Sequence, residues 1–259
     1  MNISTMMLNT HIIIPARLNS SRLPRKLMLN LDGEPIIAHT IRTALQVTDS
    51  VVVATDDLCI FDCALSHGAK AIMTSVEHQS GTDRIAEAAK VLGLPKDDIV
   101  INLQGDEPFL PPSLINQVST LLEESSSAGI ATLMQSIDNT NDFLSPNVVK
   151  VAIGEDNKAL YFSRSPIPYP RDCSLAPNTS LTMKHVFRHI GLYAYRVSVL
   201  EKITSLQEHP LEALEKLEQL RALAHGIEIV CQLATTTPPH GVDTAEDLER
   251  LRKLFIKEV

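Results

Sequence analysis

No apolar run in this chain reaches the roughly 20 residues that a membrane-spanning helix requires, so a helical membrane protein is excluded. The opening stretch MNISTMMLNTH carries no positive region ahead of an apolar one, which argues against a secretory signal. An excess of basic charge is missing too. Lys and Arg number 23 against 31 Asp and Glu, a formal net charge of -8. A general nucleic-acid binder carries a basic surface, so neither nucleic acid nor membrane is an expected partner. Cysteine is sparse. Cys59 and Cys63 stand four apart with no second ligand pair nearby, and Cys173 and Cys231 are isolated. All four read as reduced thiols, and the expected compartment is the cytoplasm. Internal repeats and low-complexity segments are also absent.

What is present is an ordinary globular composition, 44% hydrophobic and 21% charged, on a chain long enough to bury a sizeable core. Short apolar runs alternate with helical patterns. HIIIPA (11–16), VVVAT (51–55), AIMTS (71–75) and DIVINLQ (98–104) predict buried strands, and residues 35–47, 58–68, 82–93 and 112–124 predict helices. Such alternation implies βαβ units and an α/β fold with a mostly parallel central sheet flanked by helices. Further strands are expected at GIATLMQS, NVVKVAI, IGLYAY and EIVCQLA, and further helices at 211–223 and 244–255. SPIPYPRDCSLAPNTS (165–180), rich in Pro and Ser, predicts a long loop. We expect a single domain over residues 1–259.

Open α/β sheets bind ligands beyond the carboxyl ends of their strands, so residues just past those ends are the first candidates. PARLNSSRLPRK (15–26) brings Arg17, Arg22, Arg25 and Lys26 to the end of the first strand. A basic stretch by itself is usually a solvated face. At a strand end of an acidic protein it points instead to an anion such as a triphosphate, which guanidinium groups engage bidentately. The glycine pattern of a Walker loop is lacking. Past DIVINLQ comes Gly105-Asp106-Glu107-Pro108. Magnesium favours carboxylate oxygen together with substrate phosphates, which suits a strand-end aspartate. Pro108 holds Glu107 extended, so the two acids point apart and Asp106 is the choice. A turn aspartate satisfying local amides is the plain alternative. Gly105 leaves room for a ligand to approach the backbone. Asp243 either caps the last helix with Glu246, or is free to reach a metal if Thr244 caps with Asp247.

On one helix over 211–223, leucines at every third position form a broad buried face, and Glu218 falls about 20° from Leu211. An acid there needs a ligand, or an ion pair with Arg221. In HIGLYAYR, His189, Gly191, Tyr193 and Tyr195 share one strand face, opposite Ile190, Leu192 and Ala194. The second set reads as core. The first reads as a ligand wall, or as a hydrogen-bonded histidine beside packed tyrosines. HQSGTDR (78–84) opens a helix at which Gly81 permits close backbone contact. Arg84, poorly placed at a helix N-terminus, calls for an acidic ligand, Asp83 or Glu87.

Taken in order, IPARLNSSRLPRK, ATDD, HQSGTDR, INLQGDEP, YFSR, FRHIGLYAYR, LEKLEQLR and HGVDTAEDLERLR resemble the motifs of the 3-deoxy-manno-octulosonate cytidylyltransferases, or CMP-Kdo synthetases. The resemblance covers nearly the whole chain. It implies a Rossmann-like nucleotidyltransferase fold with a smaller excursion for dimerisation and sugar binding, and a homodimer. It implies transfer of CMP from CTP to the sugar acid Kdo, with release of pyrophosphate, for lipopolysaccharide biosynthesis. By the same resemblance Arg17 and Lys26 contact the triphosphate with Arg22 nearby, and Ser80, Gly81 and Gln104 lie near the nucleotide. Asp106 and Asp243 hold Mg2+, and Arg164, His189, Tyr193 and Glu218 surround the sugar acid. Lys26, Arg17 and Asp106 are then the candidate catalytic residues. Arg25 departs from the pattern, because the family's loop usually reads Leu-Pro-Gly-Lys. Either that position needs glycine's backbone, or Arg25 adds a charge.

Overall fold

The apolar runs become neighbouring strands of one sheet, as runs too apolar for a solvent-facing side require. The computed structural model describes residues 9–18, 23–172, 175–176, 179–181, 184–239, 241–242 and 244–255. Its strands are β1 (Thr10–Ala16), β2 (Asn30–Leu31), β3 (Glu34–Pro35), β4 (Val51–Thr55), β5 (Lys70–Met73), β6 (Ile99–Asn102), β7 (Ile130–Ser136), β8 (Lys150–Ile153), β9 (Ala159–Ser163), β10 (Phe187–Arg196) and β11 (Ile229–Leu233). Its α-helices are α1 (Ile36–Leu45), α2 (Leu58–Ser66), α3 (Gly81–Val91), α4 (Pro112–Glu124), α5 (Thr140–Leu144), α6 (Val197–Ser205), α7 (Pro210–Glu215), α8 (Gln219–Ala224) and α9 (Ala245–Phe255).

The main sheet runs in the order β11-β7-β10-β6-β1-β4-β5, with β8 joined to β10 and β9 to β8. All pairings in that row are parallel except those of β10, which is antiparallel to both neighbours. One correction concerns β5. AIMTS is not a buried strand: β5 closes the sheet edge, and Lys70 and Met73 at its ends are exposed. In its described residues the 165–180 stretch is loop, bridged at Ser180 to Asn139 before α5.

Strand alternation sorts the core into two faces. Ile190, Leu192 and Ala194 of β10 join the cluster under α1, α2 and α4, while Tyr193 and Tyr195 join the one under α3 and α6. A bulge leaves Gly191 and Leu192 without partners on β7, and because it inserts a pair of residues the facing of the rest is kept.

The predicted helix over 211–223 is two helices. Lys216 takes a left-handed φ of 53° after α7, and α8 starts at Gln219. Leu211 and Leu214 are exposed, whereas Leu217 and Leu220 are buried. A repeat of three falls short of a turn by about 60° each time, so one straight helix cannot bury the whole series. The break re-phases it. Arg221 on α8 then pairs with Glu212 on α7 through contacts of 2.7 and 2.6 Å, not with Glu218.

Arg25 resolves the question raised by the missing glycine. Its backbone is left-handed, with φ 55° and ψ 28°, immediately before the short 3-10 turn Lys26–Met28. The position does demand glycine-like geometry, and the exposed Arg25 adopts it at a cost. Replacing Arg25 with Gly is therefore expected to stabilise the fold by about 1 kcal/mol. Urea unfolding of the two proteins checks this; a destabilised variant would contradict it.

Candidate functional site

Three segments converge beyond the carboxyl ends of β1 and β6. The first is the loop after β1, whose Leu27 covers the turn after β6. A Cβ on Gly105 would lie 3.1 Å from Leu27 and 3.5 Å from the Pro15 carbonyl oxygen. The room at Gly105 is thus filled by Leu27, not kept for a ligand. This packing sets Lys26 beside Asp106, and their side chains form an ion pair. From below, Thr40 and Thr43 of α1 donate to the carbonyls of Gly105 (2.9 Å) and Pro108 (3.2 Å) and fix the turn. The Glu107 carboxylate and the Asp106 carbonyl both lie against Gly241. Arg17 is exposed at the end of β1. Arg22 lies outside the described residues.

The second segment is the approach to α9. The Val242 amide donates to the Asp106 carbonyl over 2.9 Å, so the chain passes Asp106 just before the last helix. Asp243 itself lies outside the described residues. The cap of α9 is Thr244: its amide donates to Asp247 (3.0 Å), and the Asp247 amide donates to the Thr244 hydroxyl (3.2 Å).

The third segment is the start of α3. Ser80 caps the helix by accepting from the Asp83 amide at 3.1 Å. Gly81 packs against Pro15, 3.3 Å from where its Cβ would be. Arg84 finds its acid in Asp56, 2.7 Å away just past β4, and also donates to Thr74. Neither a ligand nor Asp83 nor Glu87 is needed. Glu87 serves the Ser75 amide and His78, and these bonds hold its carboxyl below the usual carboxylate range.

A cavity of about 100 Å³ opens next to α3, lined by Gly81, Thr82, Asn102, Gln104, Tyr193, Tyr195, Glu218 and Gln219. Glu218 reaches it because the chain breaks between α7 and α8. Its carboxylate accepts from the hydroxyls of Ser80 (2.9 Å) and Thr82 (2.7 Å). Burial raises the Glu218 pKa, and the two hydroxyls oppose that rise. Gln104 donates to Asn102 at 2.9 Å. Asn102 stands opposite Tyr193 across the β6–β10 pairing, so both face the cavity side.

His189 and Arg164 do not line this cavity. The His189 ring contacts Tyr193 and Phe162, each with centroids 5.1 Å apart. Burial lowers its pKa to about 3, so it is neutral at ordinary pH. Its Nε2 lies 3.0 Å from the Thr132 hydroxyl, which is also 3.0 and 2.8 Å from the carbonyls of Ile190 and Leu192. Those carbonyls can only accept, so Thr132 gives its one proton to them and Nε2–H donates to Thr132. Nδ1 is left as an acceptor. Arg164 follows β9 and donates to the Glu215 carbonyl (2.7 Å) and the Pro146 carbonyl (2.9 Å).

Sequence reasoning missed Asn102, Thr82 and Gln219. For Asn102 a signal existed: a polar side chain ending a buried apolar run must find a partner.

Comparison with known proteins adds the following. The chain matches the family model for cytidylyltransferases over residues 11–229. It is 47% identical over 253 residues to a 3-deoxy-manno-octulosonate cytidylyltransferase of Francisella tularensis subsp. holarctica, covering 96% of this chain and 99% of that protein. A protein of the same name from Psychrobacter cryohalolentis is 45% identical over 264 residues, covering 100% and 98%. Among solved structures, a CMP:2-keto-3-deoxy-manno-octonic acid synthetase complexed with CTP superposes with a TM-score of 0.84 at 41% identity, covering 97% of this chain and 100% of the other.

Proposed function

This chain belongs to the cytidylyltransferase family, and from that premise we propose that it activates 3-deoxy-D-manno-octulosonate (Kdo) with CTP, giving CMP-Kdo and pyrophosphate for lipopolysaccharide biosynthesis. The observation that carries this reading is the meeting at one sheet end of two unlike half-sites: the Lys26–Asp106 pair beside the basic loop, and the polar cavity around Glu218.

In this reading the nucleotide lies on the first half-site. Arg17, Arg22 and Lys26 neutralise the triphosphate, and Ser80, Gly81 and Gln104 border the nucleotide. The sugar acid lies on the second, with Tyr193 and Glu218 in the wall and Arg164 and His189 behind. The anomeric hydroxyl attacks the α-phosphorus of CTP in line with departing pyrophosphate. Lys26 faces the charge that builds as pyrophosphate leaves, so positioning and charge neutralisation do the catalytic work. Glu218 accepts from sugar hydroxyls, and neutral His189 backs the Tyr193 wall.

Asp106 and Asp243 are the residues we assign to Mg2+. Magnesium takes one or two carboxylates and completes its shell with phosphates and water. A part-exposed Asp106 at the strand end fits that pattern. Bound there, the ion would lower the hydroxyl pKa and neutralise phosphate charge.

We further propose one domain over residues 1–259, acting as a homodimer in the cytoplasm. Leu160 on β9, Tyr169 in the loop after β9 and Leu214 on α7 are 65%, 73% and 81% exposed, apolar surface that a second copy would cover. Cys59, Cys63 and Cys231 are free thiols, which suits a reducing compartment, and Cys173 lies outside the described residues. No helix among the described residues is long and apolar enough to cross a membrane.

Pyrophosphate release over a panel of nucleotides and acidic sugars tests the reading. Release is expected only when CTP, Kdo and Mg2+ are combined. Release with sialic acid and none with Kdo would overturn the acceptor.

A further inference from the structure

Lys150 on β8 is fully buried, and the chemistry above makes no use of its charge. Its ammonium donates to the carbonyls of Ser145 (2.8 Å), Val148 (2.6 Å) and Arg164 (2.5 Å). All three donors meet neutral acceptors. Two of those carbonyls belong to the turn between α5 and β8, and the third to the residue after β9. Arg164 grips the same turn with its side chain, through Pro146, while its amide donates to the Glu215 carboxylate at 2.8 Å.

The strand register shows from which side Lys150 acts. Lys150 lies opposite Ser163, and Val151 opposite Phe162, so Lys150 and Phe162 occupy opposite faces of the sheet. Phe162 contacts the His189 ring and shares a core cluster with Tyr193 and Tyr195, on the cavity's face. Lys150 therefore reaches the Arg164 main chain from the far face and does not itself line the cavity.

Charge around this knot is unbalanced. The charged groups that act on the ammonium are Glu215 on α7 and Arg164 at the end of β9; Arg188 is the register partner of Lys150 on β10. Asp142 of α5 is taken by Asn139, and His189 is neutral. Two cations, Lys150 and Arg164, thus share one carboxylate, and the charge of the buried Lys150 is little screened.

We propose that Lys150 is a positioning residue for the acid-recognising half of the site: it fixes Arg164 through its carbonyl and maintains a surplus of positive charge that an anionic acceptor satisfies. The proposal rests on the reading that places the sugar acid in the half-site backed by Arg164, where the guanidinium would attract its carboxylate. Burial lowers the Lys150 pKa to about 8, with Glu215 opposing and Arg164 adding to the fall. The charge is then lost within a testable range. Between that value and the ordinary 10.5 the unfolded chain binds more protons than the folded one, so this group's contribution to stability rises with pH. A loss of acceptor affinity above pH 8 would not be unfolding driven by Lys150.

The experiment measures KM for Kdo, KM for CTP and kcat on both sides of pH 8 for the wild type, Lys150→Arg, Lys150→Met and Arg164→Met. The wild-type KM for Kdo is expected to rise as pH passes 8, with KM for CTP unmoved, and Lys150→Arg to lack that rise. Lys150→Met should raise KM for Kdo about tenfold at neutral pH, leave kcat and KM for CTP within about twofold, and show no inflection. If Lys150→Met leaves KM for Kdo unchanged while Arg164→Met raises it, the Lys150 proposal fails and the Arg164 reading stands. If Arg164→Met also leaves it unchanged, the Arg164 reading fails, and the proposal with it. Should the Lys150 variants not fold, a wild-type KM for Kdo that is flat across pH 8 overturns the proposal.

Discussion

Asp106→Asn is expected to lower kcat about a thousandfold while leaving the fold intact. The substitution removes charge and little else. The main-chain carbonyl of residue 106 still receives the Val242 amide, and the turn stays pinned by Thr40 and Thr43 through the neighbouring carbonyls. What is lost is a carboxylate at the strand end and its ion pair with Lys26, whose side chains are 28% and 12% exposed. A pair so placed contributes about 1 kcal/mol or less to stability, so the melting temperature should move by only a few degrees. The catalytic loss is far larger, because an amide oxygen holds a divalent cation poorly and takes a negative charge away from the strand end beside Lys26. Activity near that of the wild type at saturating magnesium would overturn the proposal that Asp106 holds Mg2+.

Glu218→Gln is expected to lower kcat/KM for Kdo about a hundredfold with KM for CTP nearly unchanged. The Glu218 carboxylate accepts two hydroxyl bonds, from Ser80 and Thr82, in a cavity of about 100 Å³. A carboxamide has one acceptor oxygen and a donor group in place of the other. One hydroxyl must then turn, and the amide presents a donor where a sugar hydroxyl would find an acceptor. Burial raises the Glu218 pKa, so the wild type should lose acceptor affinity on the acid side at a higher pH than an ordinary glutamate would impose. Steady-state kinetics with each substrate varied in turn decides the matter. Loss of CTP affinity with Kdo kinetics intact would mean that the two half-sites are assigned the wrong way round.

These two residues were not equally legible in the sequence. Asp106 was, because an acid leaving a buried apolar run lies at a sheet mouth whatever the rest of the fold does. The same logic placed the basic loop after β1 and separated the two faces of β10, but both faces are core, and of the expected ligand wall only Tyr193 and Tyr195 also line the cavity. Glu218 was singled out for a reason the structure corrects. It does not sit in a leucine stripe of one long helix, since Lys216 breaks that helix with a left-handed backbone and no glycine or proline marks the place. Tertiary packing, not local propensity, sets the break. Long-range pairing was equally hidden. Arg84 meets Asp56 from 28 residues away, and Leu27 takes the space at Gly105. The edge position of β5 and the antiparallel insertion of β10 belong to topology, which apolar runs do not encode. Lys150 drew no notice in NVVKVAI, because a lysine in a strand ordinarily faces solvent.

The most direct test of the central claim is to identify the products formed from CTP and Kdo with Mg2+. Mass spectrometry and pyrophosphate assay on the same reaction should find CMP-Kdo and pyrophosphate in equal amounts, and neither when Kdo is omitted. Pyrophosphate and free CMP appearing at the same rate without Kdo would contradict the account, because the cavity around Glu218 would then have no part in the reaction.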